Sequence, residues 1–155
     1  MTCSFAARGS CRAARIEDMP ACAAILNSWI DDTPWMPRLH DHADVEAHYR
    51  QTIFGERDVL VADYEGAVAA FIALSDDHYV TALYVDNSMR GRGCGVGLLD
   101  LAKHKHPDRL KLWTFQANKD AQRFYLREGF REIRRTHGDN EEGLPDMLFE
   151  WRAAR

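Results

Sequence analysis

The 155-residue sequence predicts a single α/β domain of the α+β kind, with a mixed, mainly antiparallel sheet and helices on both faces. The predicted elements follow the order β-α-α-β-β-β-α-β-α-β-β. Turn residues at 65–66 and 76–77 separate the middle strands, so these strands are expected to form hairpins. After residue 90 helices alternate with strands, which is typical of parallel crossovers. A mixed sheet accommodates both patterns.

The first half of the chain begins with residues 1–10, which are expected to be loose, and a short strand at 12–16. Asp18 can cap a following helix. Its apolar positions recur at helical spacing and are Cys22, Ile25, Leu26, Trp29 and Ile30. Segment 33–37 contains two prolines and ends this helix, and a second helix is predicted at 41–54. The second helix carries Val45, Tyr49 and Ile53 on one face.

The second half of the chain reads as short apolar strands with two helices between them. The strands are predicted at 58–62, 68–74, 79–85, 110–114, 130–136 and within 144–151. A glycine-rich stretch at 90–97 opens a helix that Pro107 stops. Asn118 can cap the last helix, and Gly129 ends it.

Composition and charge exclude several functions. With 20 Lys+Arg and 24 Asp+Glu the net charge is −4, which disfavours nucleic-acid binding. No apolar run of about 18 residues predicts a membrane span, and no secretory signal is expected. The four cysteines fit a reduced compartment, and a cytoplasmic location is expected; they form no Cys-x-x-Cys pair, which removes the simplest zinc and redox patterns. The histidines lack metal-ligand spacing, and no metal is expected.

The glycine-rich stretch is the first candidate site. It reads Arg90-Gly91-Arg92-Gly93-Cys94-Gly95-Val96-Gly97, follows a strand and opens a helix. Glycines let a ligand approach the backbone, and the helix start favours anions, so the loop suits a phosphate. A ligand-free glycine turn is the alternative interpretation.

Two phosphate motifs fail at this loop. Gly-x-Gly-x-x-Gly meets Val96 or Leu98 where the third glycine is required, and no Gly-Lys-Ser/Thr tripeptide exists. A nucleotide-binding protein is therefore disfavoured. The remaining pattern is Arg-x-x-Gly-x-Gly, formed by Arg90, Gly93 and Gly95.

This pattern, preceded by Tyr84-Val85 at a strand end, resembles the acetyl-CoA loop of the GNAT acetyltransferase superfamily. A second segment, 118–130, resembles the family's Asn-x-x-Ala-x-x-Phe-Tyr-x-x-x-Gly-Phe sequence. The element order fits the family over nearly the whole chain. The region from Trp113 through Asp146 is similar to a bacterial subset of small GNAT proteins.

The resemblance implies how acetyl-CoA would bind, as the acetyl donor. Backbone groups of Leu83, Tyr84 and Val85 would bond to the pantetheine arm. The pyrophosphate would lie on the loop amides, with Arg90 and Arg92 adding charge. The implied cofactor residues are Leu83, Tyr84, Val85, Arg90, Gly91, Arg92, Gly93, Cys94, Gly95, Asn118 and Tyr125. The alternative interpretations are that Cys94 is a small residue filling space in the loop and that Asn118 is a helix cap.

Tyr125 is the candidate general acid that the resemblance implies. A phenol with a pKa of about 10 near the leaving sulfur can donate a proton or hydrogen bond to it. Without the resemblance, Tyr125 would read as a core aromatic on a helix face.

The general base is not evident. Some relatives use a glutamate on the strand before the loop, but residues 76–81 contain none. His78 has a suitable reference pKa and is a weak candidate. A solvated turn residue and a water relay are the alternatives.

The acceptor side is expected where the family places it, at the first helices and the tail. Trp35, Pro37, His40 and Tyr49 match the first part. Asp139, Asn140, Glu141, Glu142 and Asp146 form an acidic stretch that could attract a cationic amine. A solvated loop is the alternative interpretation.

The favoured function is acetyl transfer from acetyl-CoA to a primary amine of a small molecule or peptide, by direct attack. The alternative is a catalytically silent acyl-CoA-binding or regulatory module. A monomer or homodimer is expected, and a strand edge near Trp151 could pair with another chain.

Overall fold

The computed structural model describes residues 4–5 and 8–154. Five antiparallel strands form the first sheet in the order β1-β2-β3-β4-β5. They are β1 (Ser4–Phe5), β2 (Gly9–Ala13), β3 (Asp58–Tyr64), β4 (Ala67–Leu74) and β5 (Val80–Val85). The loose start expected for residues 1–10 lies partly outside the described residues. Within it, Ser4–Phe5 pairs antiparallel with Gly9 and Ser10.

A second sheet has the order β6-β8-β7, also antiparallel. Its strands are β6 (Arg109–Phe115), β7 (Arg131–Thr136) and β8 (Asp146–Arg152). β8 lies in the middle, and Trp151 pairs with Leu110. The prediction that an open strand edge lies near Trp151 is therefore wrong. β7 forms an edge instead, and its four charged side chains protect that edge against pairing with another chain.

Within the described residues, one isolated backbone bridge joins the two sheets. Tyr79 and Lys111 form an isolated parallel bridge just before β5 and within β6. Beyond this bridge no ladder joins β5 to β6 in the described part of the chain. The strands therefore separate towards the carboxyl end of β5, where the glycine-rich stretch follows.

Helices cover both faces of the first sheet, as expected. The strands alternate, so Val59 and Val61 face one side of β3 while Leu60 and Ala62 face the other. Helix α1 (Met19–Asp32) packs with Phe71 on the first side. Helix α4 (Cys94–Lys105) packs on the second side, where Leu98 and Leu99 are fully buried, and α5 (Lys119–Arg127) joins this cluster through Tyr125.

The predicted helix at 41–54 is continuous but irregular. It consists of α2 (His42–His48), a π-helical turn (Tyr49–Ile53) and α3 (Phe54–Glu56). Tyr49 is buried, and its ring lies edge-on to Phe71 with centroids 5.6 Å apart.

Asp18 occupies the position before α1, yet its carboxylate does not bond to the helix amides. It accepts hydrogen bonds from both terminal nitrogens of the Arg12 guanidinium, at 2.7 and 3.0 Å, and from the Arg15 amide at 2.8 Å. Arg12 also donates to Asp63, so these three partly buried side chains link β2, β3 and the start of α1. The hydrogen bond from Arg12 holds the pKa of Asp18 below its usual range.

Cys11, in β2, is disulfide-bonded, so the expectation of a reduced set of cysteines is wrong at this position. Cys22 and Cys94 are buried free thiols.

Candidate functional site

The glycine-rich loop has the geometry of an anion site. Gly91 and Gly93 have φ values of +76° and +88°, where side chains are strained. Gly93 occupies the cap of α4, and the Gly97 amide donates to its carbonyl at 2.9 Å. The amides of Cys94, Gly95 and Val96 precede this first intrahelical bond, so they are available to a ligand.

Two side chains of this loop are directed at the protein. Cys94 is buried, with Sγ 3.8 Å from the Met89 carbonyl oxygen, and burial raises the pKa of its thiol. The Arg92 guanidinium lies 5.9 Å from the centre of the Tyr64 ring. These two residues can therefore offer backbone amides and positive potential rather than a reactive thiol.

A cavity of about 320 Å³ lies between the loop, β5 and α5; we call it the glycine-loop cavity. It brings together many of the predicted cofactor residues: Leu83, Tyr84, Val85, Arg90, Gly95, Asn118 and Tyr125. Gly91, Arg92, Gly93 and Cys94 do not line it and lie in the adjoining loop. The cavity continues into a gap of about 90 Å³ between β5 and β6, walled by Leu112, Trp113, Thr114 and Phe115.

Tyr125 lies in the wall of both spaces. Its ring packs against Phe130 and Phe149, with centroids 5.4 and 6.4 Å away, and burial raises the pKa of its phenol. Within the described residues its hydroxyl forms no hydrogen bond, and it is not among the buried polar atoms left without a partner. The hydroxyl therefore reaches the cavity, where a ligand can meet it.

Asn118 has both of its predicted properties. Its side-chain oxygen accepts a hydrogen bond from the Ala121 amide at 3.1 Å, which caps α5. The residue also lines the glycine-loop cavity.

A second cavity, of about 450 Å³, lies between α1, α2 and the β7–β8 loop; we call it the α1–α2 cavity. Five of the predicted acceptor residues meet here: Pro37, His40, Tyr49, Glu141 and Glu142. Asp44 and His48 join them, and Leu26, Ile30 and Met36 provide apolar wall. His40 Nε2 lies 2.7 Å from Glu141 Oε1, across the mouth from helix side to loop side.

Trp35 and Asp146 lie outside the α1–α2 cavity. The Trp35 ring packs edge-on against Trp29 and Phe115, at 5.8 and 5.7 Å, beside the glycine-loop cavity. Asp146 is buried and accepts hydrogen bonds from Thr136 and Asn140. With Asp139, Arg134 and Glu142 it lines a third cavity of about 460 Å³ on the outer face of the second sheet.

His78 lies in the turn before β5, at φ +73°. Its Nδ1 is 2.9 Å from Nδ1 of His106, which follows α4. It lines neither the glycine-loop cavity nor the α1–α2 cavity, so its position gives no support to a role as the base.

Sequence reasoning missed two side chains. Trp29 lines the glycine-loop cavity, although its helical spacing predicts a core residue. Tyr84 lines both the glycine-loop cavity and the α1–α2 cavity, and its ring packs with Trp29 and Phe71, whereas only its backbone was assigned a role. Burial, together with the nearby Glu142 carboxylate, raises the pKa of Tyr84 to about 12.

Within residues 4–5 and 8–154, no three His, Cys, Asp or Glu side chains cluster in a way that could hold a metal ion. None of the helices in that part of the chain combines the length and apolar character needed to cross a bilayer.

Comparisons with known proteins agree with this geometry. The profile of a family described as "Acetyltransferase (GNAT) domain" matches residues 37–151. The chain is 28% identical over 148 residues to the peptidyl-lysine N-acetyltransferase YiaC of Escherichia coli K12, covering 90% of this chain and 94% of that protein.

Solved structures share the fold. The solution structure of apo YjaB from Escherichia coli superposes with a TM-score of 0.76 at 26% identity, covering 94% of this chain and 99% of that one. The yncA structure from Salmonella typhimurium, a putative acetyltransferase with its cofactor acetyl-CoA, has a TM-score of 0.73 at 20% identity, covering 96% of both chains. The chain therefore belongs to the GNAT family of acetyl-CoA-dependent N-acetyltransferases.

Proposed function

We propose that this enzyme transfers the acetyl group from acetyl-CoA to a primary amine by direct attack of the amine on the thioester. The observation that carries the proposal is the meeting of two cavities at Tyr84. A thioester in the glycine-loop cavity would face an amine in the α1–α2 cavity. Holding both reactants at one junction supplies the proximity on which such a transfer depends.

The cofactor would be held mainly by backbone. Loop amides from Cys94 to Val96 bind the pyrophosphate, and Arg90 adds positive charge from the wall of the cavity. The pantetheine arm occupies the gap between β5 and β6, where the strands are unpaired. Its amides would bond to the free backbone of Leu83, Tyr84 and Val85.

The reaction balances without an added co-reactant. The ammonium first loses one proton through the α1–α2 cavity. The nitrogen lone pair then forms the N–C bond, and the C–S bond breaks with its electron pair on sulfur. The nitrogen loses a second proton and the thiolate gains one, leaving the acetamide, coenzyme A and one released proton.

Tyr125 is proposed as the acid that helps the sulfur to leave. Its hydroxyl has no hydrogen-bond partner within the described residues, and burial keeps its phenol protonated. A neutral phenol in an apolar wall can donate a proton or hydrogen bond as charge develops on sulfur. We assign no side chain as the general base.

The acceptor is proposed to be cationic, such as the lysine side chain of a peptide or a small amine. Asp44, Glu141 and Glu142 line the α1–α2 cavity and favour an ammonium group. The relative YiaC is named for peptidyl-lysine, which is consistent with this class. We further propose a monomer or homodimer.

The test is a panel of amines and lysine peptides, read by free thiol released from acetyl-CoA and by the mass of the acetylated product. Transfer to at least one amine, abolished when acetyl-CoA is replaced by coenzyme A, is the expected result. Tight acetyl-CoA binding with no product from any amine would favour the silent acyl-CoA-binding module instead.

A further inference from the structure

Tyr84 lies at the boundary between the two cavities. This residue lines the glycine-loop cavity, the gap between β5 and β6, and the α1–α2 cavity. Tyr125 reaches only the first two of these spaces, and Tyr49 only the third. Tyr84 is thus the tyrosine positioned to touch both reactants.

The ring of Tyr84 is fixed from several directions. Its centroid lies 5.2 Å from that of Trp29 and 5.9 Å from that of Phe71. Residue 84 also pairs with Phe71 across the β4–β5 ladder. A side chain held by both strand pairing and ring packing can hold a substrate in one defined orientation.

The hydroxyl itself is unused by the protein. Tyr84 forms no hydrogen bond through its side chain within the described residues, and its oxygen is not among the buried polar atoms left without a partner. A half-buried phenol in an aromatic wall usually finds a partner, so this hydroxyl is available for a ligand.

We propose that the Tyr84 hydroxyl positions the acceptor amine, by accepting a hydrogen bond from one N–H so that the nitrogen lone pair faces the thioester carbon. This inference rests on the proposed function. Tyr84 neither gains nor loses a proton in the step. The raised pKa of its phenol keeps the oxygen neutral across the working pH range, with its lone pairs free to accept.

The role differs from that of Tyr125. Tyr125 would act on the departing sulfur, whereas Tyr84 would act on the incoming nitrogen from the other side of the reacting carbon. Loss of the Tyr84 hydroxyl should therefore reduce attack while leaving cofactor binding intact.

The first experiment measures binding and needs no turnover. The probe is coenzyme A whose sulfur is joined through –CH2–C(O)– to the nitrogen of butylamine, so that it carries an N–H at the acceptor position. Tyr84→Phe should weaken binding of this probe about tenfold, consistent with the loss of one hydrogen bond, and change coenzyme A affinity less than about twofold. Equal weakening of both ligands, or of neither, would overturn the proposal.

The second experiment measures turnover with the best amine of the panel. Tyr84→Phe should lower kcat about tenfold without changing the shape of its pH profile, because a neutral phenol is lost rather than a titrating base. Tyr79→Phe, at a tyrosine beside Lys111 and outside both cavities, should keep parental kcat. Parental kcat in Tyr84→Phe would contradict the proposal. If the parent acetylates no amine, the proposed function fails while the probe still decides the Tyr84 contact.

Discussion

His40 and Glu141 are 101 positions apart in sequence, yet His40 Nε2 and Glu141 Oε1 lie 2.7 Å apart at the mouth of the α1–α2 cavity. The pair joins the segment before α2 to the β7–β8 loop. Both side chains are about 60% exposed, so the pair contributes little to the free energy of unfolding. Its effect is expected on the acceptor instead.

Glu141→Gln should raise the acceptor KM several-fold while leaving kcat and the melting temperature nearly unchanged, because the β7–β8 loop loses its carboxylate contact with His40 across the cavity mouth. Steady-state kinetics with the preferred amine measure this. Glu56→Gln is the matched control, since Glu56 is equally exposed (63% against 62%) and lines neither cavity. An unchanged KM in Glu141→Gln would contradict the expectation.

Gly95→Val should lower acetyl-CoA affinity at least about tenfold. A Cβ on Gly95 would lie 3.5 Å from Phe124 Cζ and 3.8 Å from Val85 Cγ2, so the two further methyls of valine must enter the glycine-loop cavity. Gly55→Val is the control, because its Cβ would meet no atom within 4 Å. Calorimetry that finds equal affinity in both variants would rule out this loop as the cofactor site.

Tyr125→Phe should lower kcat about 100-fold, with unchanged acetyl-CoA affinity. The hydroxyl has no partner within the described residues, so its removal should also leave the melting temperature unchanged. Activity, cofactor affinity and melting temperature are to be measured on the same preparations. Full turnover by this variant would assign help to the leaving group to water or backbone amides.

The acceptor's kcat/KM should fall as salt rises. Asp44, Glu141 and Glu142 lie at the α1–α2 cavity, and exposed charges are screened beyond about 8 Å at 0.15 M ionic strength. A neutral amine of the same shape, if accepted, should show a flat profile. A flat profile for the cationic acceptor as well would count against electrostatic attraction.

Asp18→Asn should destabilise the protein at pH 7 by about 2 kcal/mol, because the partly buried Arg12 guanidinium loses one of its two carboxylate partners and keeps only Asp63. The folded-state pKa of Asp18 lies below its unfolded value of about 4, so this stability is present above that pH and is lost as the pH falls. Melting temperatures of parent and variant should therefore converge below about pH 4. Asp76→Asn, in an exposed turn, is the control. A constant difference from pH 7 to pH 3 would contradict the assignment.

Local patterns predicted much of the fold. The apolar run of β3, the turns at 65–66 and 76–77, and the Asn118 cap are all decided by neighbouring residues, and the structure has them. The position of β8 between β6 and β7 depends on pairing between distant segments. No local pattern records that pairing, and the predicted edge at Trp151 was therefore wrong.

In the candidate site too, features set by local sequence were predicted and those set by contacts between distant segments were not. The glycine loop and Tyr125 lie in contiguous motifs, so the sequence indicated them. Trp29 has the spacing of a core residue because a helix face that lines a cavity shows the same periodicity as one that packs on a sheet. His78 is close to β5 in sequence, but its turn places it beside His106.

Apart from the bridge between Tyr79 and Lys111, β5 and β6 are unpaired in the described part of the chain, so a cofactor bound between them would become part of the sheet. An extended arm with its own amides, lying between β5 and β6, would act as the missing strand and convert two separate sheets into one continuous sheet. Without the cofactor, β5 and β6 should separate transiently from each other. Their backbone amides should therefore exchange hydrogen for deuterium faster than those of β3 and β4. Bound acetyl-CoA would pair with both β5 and β6. Each catalytic cycle would therefore begin with a binding step that also joins the two sheets.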